Sequence, residues 1–240
     1  AAPTTGARPS GTLAAALSPT ALVRTSATPK ALPTPAANQT ASMSVARQYH
    51  TATRLEDGRI LIAGGKDAGD SSTATAEIFD PATGKWSSAG KMASARQSHR
   101  AVLLGDGRVL VTGGWGAEFT ILASAEIFDQ RDSTWTTVQD MDTGRIAHTS
   151  TLLPDGRILV TGGWNLTSSK TSVLFLPDTG RWAPGPDMVD SRFDHSATLL
   201  ADGRLLVIGG EDDRDRRLAS AEIFDPTKGV WTPAGAMASR

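Results

Sequence analysis

Four histidines, at 50, 99, 148 and 195, are the side chains of this chain best suited to metal or proton chemistry, and all four occupy one pattern. Each stands three residues after an arginine (Arg47, Arg96, Arg145 and Arg192), giving Arg-x-x-His four times. Arranged around an axis, four imidazoles could hold zinc, copper or nickel. A residue present in every copy of a repeat serves the repeat first, so the expectation is that each His packs and hydrogen-bonds alike within its own unit, with no metal or other cofactor. The arginines are expected to pair with Glu77, Glu126 and Glu222. In the third copy Val173 stands at that position, so Arg145 needs another partner.

Two further groups of residues stand out. Trp115 and Trp164 each follow a Gly-Gly pair directly, away from the position that repeats as Trp86, Trp135, Trp182 and Trp231. With Glu118, Phe119, Ile121, Asn165 and Leu166 they form a candidate binding patch, since tryptophan is enriched at interface hot spots and its ring stacks on sugars. The alternative is that both indoles fold back over the Gly-Gly backbone. Beside them Glu211, Asp212, Asp213 and Arg214 begin a loop of mixed charge, either simply solvated or in contact with a partner; its spacing does not match a calcium-binding EF-hand. Asn38 and Asn165 lie in glycosylation sequons.

Other chemistry is excluded or unsupported. Cysteine is absent, which removes disulfides, thiolate catalysis and cysteine-type zinc sites. The Gly-Gly pairs lack the helix start and Lys-Ser/Thr of a phosphate loop and suit positive φ or close approach of neighbouring backbone. Acids and bases nearly balance at a net charge of −1, so no footprint for nucleic acid is present. No apolar run is long enough for a membrane-spanning helix.

The elements that must position these residues follow from the repeat. Methionines at 43, 92, 141, 188 and 237 mark a period of 47 to 49 residues. Each unit runs Met, Arg-x-x-His, an apolar run, Asp-Gly-Arg, a second apolar run ending Gly-Gly, a variable stretch, a Phe strand and a Trp strand. Asp-Gly between apolar runs predicts a two-residue type I′ hairpin at 57–58, 106–107, 155–156 and 202–203. The Phe and Trp strands are joined by 80–84 and its counterparts. Repeat two lacks the Pro and Gly of that loop, having Gln130 and Ser133, and is expected to turn differently. Four antiparallel strands with no helix to cover them bury their faces by stacking on copies of themselves around an axis, as in a β-propeller.

The doubled Gly, the Trp that follows it and the Arg-x-x-His together resemble the kelch family of β-propellers. The resemblance implies an all-β fold of four four-stranded antiparallel blades at about 47–90, 96–138, 145–185 and 192–234, within a domain at 43–240. Residues 237–240 look like the start of a fifth repeat. The chain is then a small closed ring, an open arc that self-associates through its end blades, or a fragment of a larger propeller. Residues 1–42, rich in Ala, Pro and Thr, are expected to form a largely disordered arm. Some kelch-superfamily proteins, such as galactose oxidase, are copper radical enzymes that need a tyrosine cross-linked to cysteine and a second tyrosine. This chain has only Tyr49 and no cysteine, so that activity is not expected here.

Variation among the copies concentrates between Gly-Gly and the third strand, at 66–73, 115–121, 164–171 and 211–217. In a propeller these loops share one face, and loops on a rigid scaffold carry binding residues. The expected function is a non-catalytic scaffold presenting that face to a protein partner. A carbohydrate-binding module using Trp115 and Trp164 is one alternative, and a part of a larger protein whose activity lies elsewhere is another. The arm favours an extracellular or cell-surface setting.

Overall fold

The computed structural model describes residues 41–238, so the expected arm falls almost wholly outside the described residues, as do the last two residues of the fifth-repeat stub. Each repeat forms one antiparallel four-stranded sheet whose strand order in space is its order in sequence. Blade 1 consists of Thr51–Arg54, Ile60–Ala63, Thr75–Asp80 and Lys85–Lys91. Blade 2 consists of Arg100–Leu103, Val109–Thr112, Ala125–Asp129 and Thr134–Thr137. Blade 3 consists of Thr149–Leu152, Ile158–Thr161, Ser172–Leu176 and Arg181–Pro184. Blade 4 consists of Ser196–Leu199, Leu205–Ile208, Ser220–Asp225 and Val230–Ala236. A two-stranded ladder joins Arg47–Gln48 to Lys66–Asp67. No α-helix occurs among the described residues. Inner strands pack side by side in chain order, while blade 4 has no comparable packing on blade 1 among the described residues. The four blades are those the repeat predicts, in an arc that does not close.

The Asp-Gly hairpins differ from the expected type I′ turn. Gly58 has φ +90°, but Asp57 does not take positive φ. Leu55 accepts from the Gly58 amide at 3.1 Å and donates to the Arg59 carbonyl at 2.8 Å, which makes a three-residue loop with glycine in the bulge position. Asp57 is selected for a different reason: its carboxylate accepts from the Arg59 amide at 3.0 Å and from Arg59 Nε at 2.6 Å. The same clasp recurs at Asp106–Arg108, Asp155–Arg157 and Asp202–Arg204. The repeat-two turn keeps the shape of the others, because Ser133 takes φ 58° where the other blades have glycine. It lacks only the amide-to-carbonyl bond that closes 80–84.

Blade-to-blade packing explains the remaining repeated residues. Leu55, Leu61, Ile78 and Met92 on one face of blade 1 enclose a core with Val109, Val111 and Phe128 of blade 2, and equivalent sets fill the next two joints. Phe128 and Phe175 are fully buried and Phe224 nearly so, each worth roughly 2–3 kcal/mol. At the edge of this core the Gly65 amide donates to the Arg96 carbonyl of the next blade at 2.8 Å, repeated at Gly114–Arg145 and Gly163–Arg192. A Cβ on Gly64 would stand 2.8 Å from the His99 ring, so the next blade's imidazole lies where a side chain would be. The Trp135, Trp182 and Trp231 indoles donate back to the Ala89, Gln139 and Pro186 carbonyls at 2.7–3.0 Å.

The histidines belong to these joints and do not act each within its own blade. His99 Nε2 shares a hydrogen bond with Thr51 Oγ1 at 2.9 Å, and His195 does so with Thr149 at 3.0 Å. In blade 2 Arg100 stands at the Thr51 position and donates to the His148 carbonyl, so the His148 ring bonds to Thr112 instead.

The arginines brace each blade internally. Arg96 donates to the Gly113 and Ser124 carbonyls and pairs with Glu126 at 2.8 Å, both side chains being buried. Glu126 also accepts from the amides of Ala93 and Ser94, fixing the segment after Met92. Arg47–Glu77 and Arg192–Glu222 repeat the brace, as the sequence predicts. In blade 3 Asp142 supplies the carboxylate, 3.1 Å from Arg145. Removing one partner of such a buried pair leaves an uncompensated charge, at a cost of about 3–5 kcal/mol.

Burial, followed by the nearby arginines, lowers His99 and His195 to about 3 and His148 well below its ordinary value. An unfolded imidazole titrates near ~6.5, so below that pH the unfolded chain holds protons that the folded chain does not. Stability should therefore fall with pH between about 6.5 and 4.5 by up to ~1.4 kcal/mol per pH unit for each histidine. Below this window carboxylates such as Glu77, lowered from about 4.5, add a loss of the same sign. His99→Gln should reduce the slope by one proton's worth in urea titrations; a flat wild-type profile above pH 4.5 would contradict the assignment.

Candidate functional site

The residue before each histidine, Tyr49, Ser98, Ala147 and Asp194, takes positive φ between 52° and 57°. This left-handed conformation is uncommon for non-glycine residues and costly for tyrosine and alanine. Neighbouring copies are tied together, the Ser98 amide donating to the Tyr49 carbonyl and Asp194 to Ala147, each at 2.9 Å. All four line one cleft of about 370 Å³ with His50, His99, Arg100, Trp115 and Ile146. Because these residues enter the inner strands of all four blades, the cleft is the mouth of the propeller axis. Half-buried Arg100 and exposed Asp194 bring both signs of charge to it.

The variable loops surround this mouth on the same face. Lys66, Trp115, Trp164 and Glu211 hold equivalent places, each paired with the segment that enters an inner strand and with the return leg of its own loop. Trp115 and Trp164, from adjacent blades, lie 6.1 Å apart between ring centroids at 52°. Phe119 meets Trp115 edge-on at 6.4 Å. Phe119 and Leu166 are 78% and 80% exposed, and both take positive φ, as does Glu118. Ile121 and Asn165 are half-buried beside them. The candidate patch therefore comes together as one aromatic and apolar surface across two blades, with Trp115 shared between it and the axial cleft.

The charged loop is more structural. Asp212 is buried and accepts from the Arg214 and Arg216 amides at 2.9 and 3.1 Å. The Arg216 guanidinium beside it holds its carboxyl down at about 2. Asp67 pins the blade-1 loop in the same way, through the Gly69 and Ser71 amides. Asp213 accepts from the Ser168 amide, joining the loops of blades 3 and 4. Glu211 contacts Arg217 at 3.4 Å, while the Arg214 side chain is exposed. The four histidines do not converge as ligands, and no group of three or more His, Cys, Asp or Glu side chains suited to a metal occurs among the described residues.

The model of the Attractin/LZTR1 beta-propeller matches residues 20–231. The chain belongs to that family. No curated protein matches it. Among solved structures it is similar to a novel fungal alcohol oxidase of the AA5 family in complex with copper, with a TM-score of 0.51 and 17% identity over 79% of this chain. The Attractin/LZTR1-type chain covers 53% of that structure, about half its length. At this identity the likeness shows the fold alone, a kelch-type propeller.

Sequence reading found Trp115, Trp164 and their neighbours by subtracting the repeat, and missed the ring of Tyr49, Ser98, Ala147 and Asp194. The two kinds of tryptophan should respond unequally to truncation. Trp135→Ala removes an indole packed against the blade 1–blade 2 core and its bond to Ala89, and should cost about 3–5 kcal/mol in chemical denaturation. Trp115→Ala and Trp164→Ala should each cost no more than about 1 kcal/mol, since backbone pairing holds their loops. Equal losses at all three positions would mean that the patch is local packing.

Proposed function

We propose that the chain is a non-catalytic binding scaffold that presents the axial mouth and its surrounding loops to a protein partner. The observation that carries this reading is the Trp115–Trp164–Phe119 cluster, built across two blades with Phe119 and Leu166 exposed. Apolar surface arranged on a rigid frame is ordered before binding, so little entropy is lost when a partner docks. The mixed charges of Arg100, Asp194 and Arg214 around it suit the polar rim of an interface. Membership of the Attractin/LZTR1 propeller family is compatible with a binding scaffold. The absence of catalysis is part of the same proposal: it is supported by the buried Nε2 atoms of His99, His148 and His195, each bonded to a threonine of the adjacent blade.

A carbohydrate ligand is the second reading, favoured by the pairing of two indoles from adjacent blades. Affinity capture with the wild-type chain and the Trp115→Ala/Phe119→Ala variant, followed by quantitative binding to whatever protein is retained, tests the first. The variant should bind at least about 30-fold more weakly, with its melting temperature nearly unchanged. A partner held equally by both proteins would place binding elsewhere. Saturable quenching of tryptophan fluorescence by soluble oligosaccharides, lost in Trp115→Ala/Trp164→Ala, would decide for the glycan instead.

A further inference from the structure

The two ends of the arc present opposite halves of the joint that repeats three times inside it. On blade 1 the outward face carries Ile60, Phe79 and Trp86, all half-buried, where the equivalent Val109 and Phe128 are fully buried. Trp86 Nε1 and His50 Nε2 have no hydrogen-bond partner among the described residues, and no Gly-Gly amide of another blade reaches the Arg47 carbonyl. Their counterparts in blades 2, 3 and 4 all bond to the preceding blade. On blade 4 the outward face carries Leu200, Leu206, Ile208 and Ile223, half-buried, where Leu55, Leu61 and Ile78 are nearly inaccessible. Met237 is 47% exposed, whereas Met92, at the same repeat position, is 4% exposed.

The polar complement is also present on blade 4. The Gly210 amide donates to no acceptor among the described residues, although Gly65, Gly114 and Gly163 each donate to the next blade's arginine carbonyl. A Cβ on Gly209 would meet nothing closer than 3.5 Å, whereas Gly64, Gly113 and Gly162 face a histidine ring of the next blade at 2.8–2.9 Å. Ser196 retains a hydroxyl at the position of Thr51 and Thr149, which bond to the next blade's histidine. Ala234 occupies the place of Ala89, the carbonyl acceptor for the next indole, in the matching Trp-x-x-Ala-Gly.

We propose that a second copy of this chain docks head to tail, with blade 1 of one copy against blade 4 of the other. Arg47, His50 and Trp86 then meet Gly210, Ser196 and Ala234 and reproduce the internal joint. Such an interface is heterologous: it closes into a ring of two copies or, where the rotation does not close, extends. The apolar faces supply the attraction. The repeated bonds fix register, as they do at the three joints inside the chain.

Sedimentation equilibrium and native mass spectrometry of the full 240-residue chain across a concentration series test the proposal. The expected result is a species of twice the 25.1 kDa chain mass, or a series of its multiples. Trp86→Glu on the head face or Ile208→Glu on the tail face should each abolish association while preserving the β-sheet circular dichroism. Mixing these two variants should restore a dimer through the one intact pair of faces, an outcome that a head-to-head or tail-to-tail contact does not give. Should either charged variant misfold, Trp86→Phe, which removes the indole N–H and part of the ring surface, should weaken association about tenfold. A wild-type chain that stays monomeric at all concentrations would overturn the proposal. A dimer insensitive to every variant would overturn it as well.

Discussion

The structure depends on one steric constraint: the next blade's carbonyl and imidazole occupy space that a side chain at the first glycine of each Gly-Gly pair would fill. Gly113 brings the Arg145 carbonyl and the His148 ring against bare backbone, which lets the Gly114 amide reach that carbonyl at 3.0 Å. This approach sets the separation of the sheets, and the separation sets what the phenylalanines and methionines between them must fill. An isolated sheet of this kind would expose two apolar faces, so stability resides in the joints between blades, as expected for repeat proteins. Burying a neutral histidine at each joint adds a dependence on pH that a purely apolar joint would lack.

The same constraint orders the functional face. The arginine that offers its carbonyl to the preceding blade also pins its own blade through its guanidinium, and the histidine three residues on enters the neighbouring joint. The residue before that histidine is thereby forced into the left-handed conformation, with its side chain at the axial mouth. Loops after Gly-Gly are anchored by pairing with the same segment. Trp115 and Trp164 are thus held by the machinery that builds the joints, while Phe119 and Leu166 project beyond it. Site and scaffold share a backbone, and only the outer side chains vary independently.

Much of this was legible in the sequence because it repeats. The period gave four blades, Glu77, Glu126 and Glu222 identified the partners of three arginines, and Val173 signalled the exception that Asp142 resolves. Asp-Gly suggested the hairpins but not their type, since the aspartate is selected by its clasp on the following Arg and glycine alone takes positive φ. The histidine partners were hidden because they lie on a different blade, 46 to 48 residues away for His99 and His195. The axial ring was hidden for another reason. Tyr, Ser, Ala and Asp share no propensity for the left-handed conformation, which is imposed by the flanking bonds and leaves no local signature.

The most direct test of the joint compares Gly113→Ala with Gly209→Ala by equilibrium unfolding, under conditions where the chain is monomeric. Both glycines have similar positive φ, +61° and +68°, so each variant carries the same local strain, roughly 1–2 kcal/mol. A Cβ at 113 also collides with the Arg145 carbonyl and stands 2.9 Å from the His148 ring, while at 209 the nearest atoms are 3.5 Å away. The account predicts that Gly113→Ala is the more destabilising by at least about 2 kcal/mol. Equal losses would show that Gly-Gly serves backbone conformation alone, and the close approach of blades would no longer explain the fold.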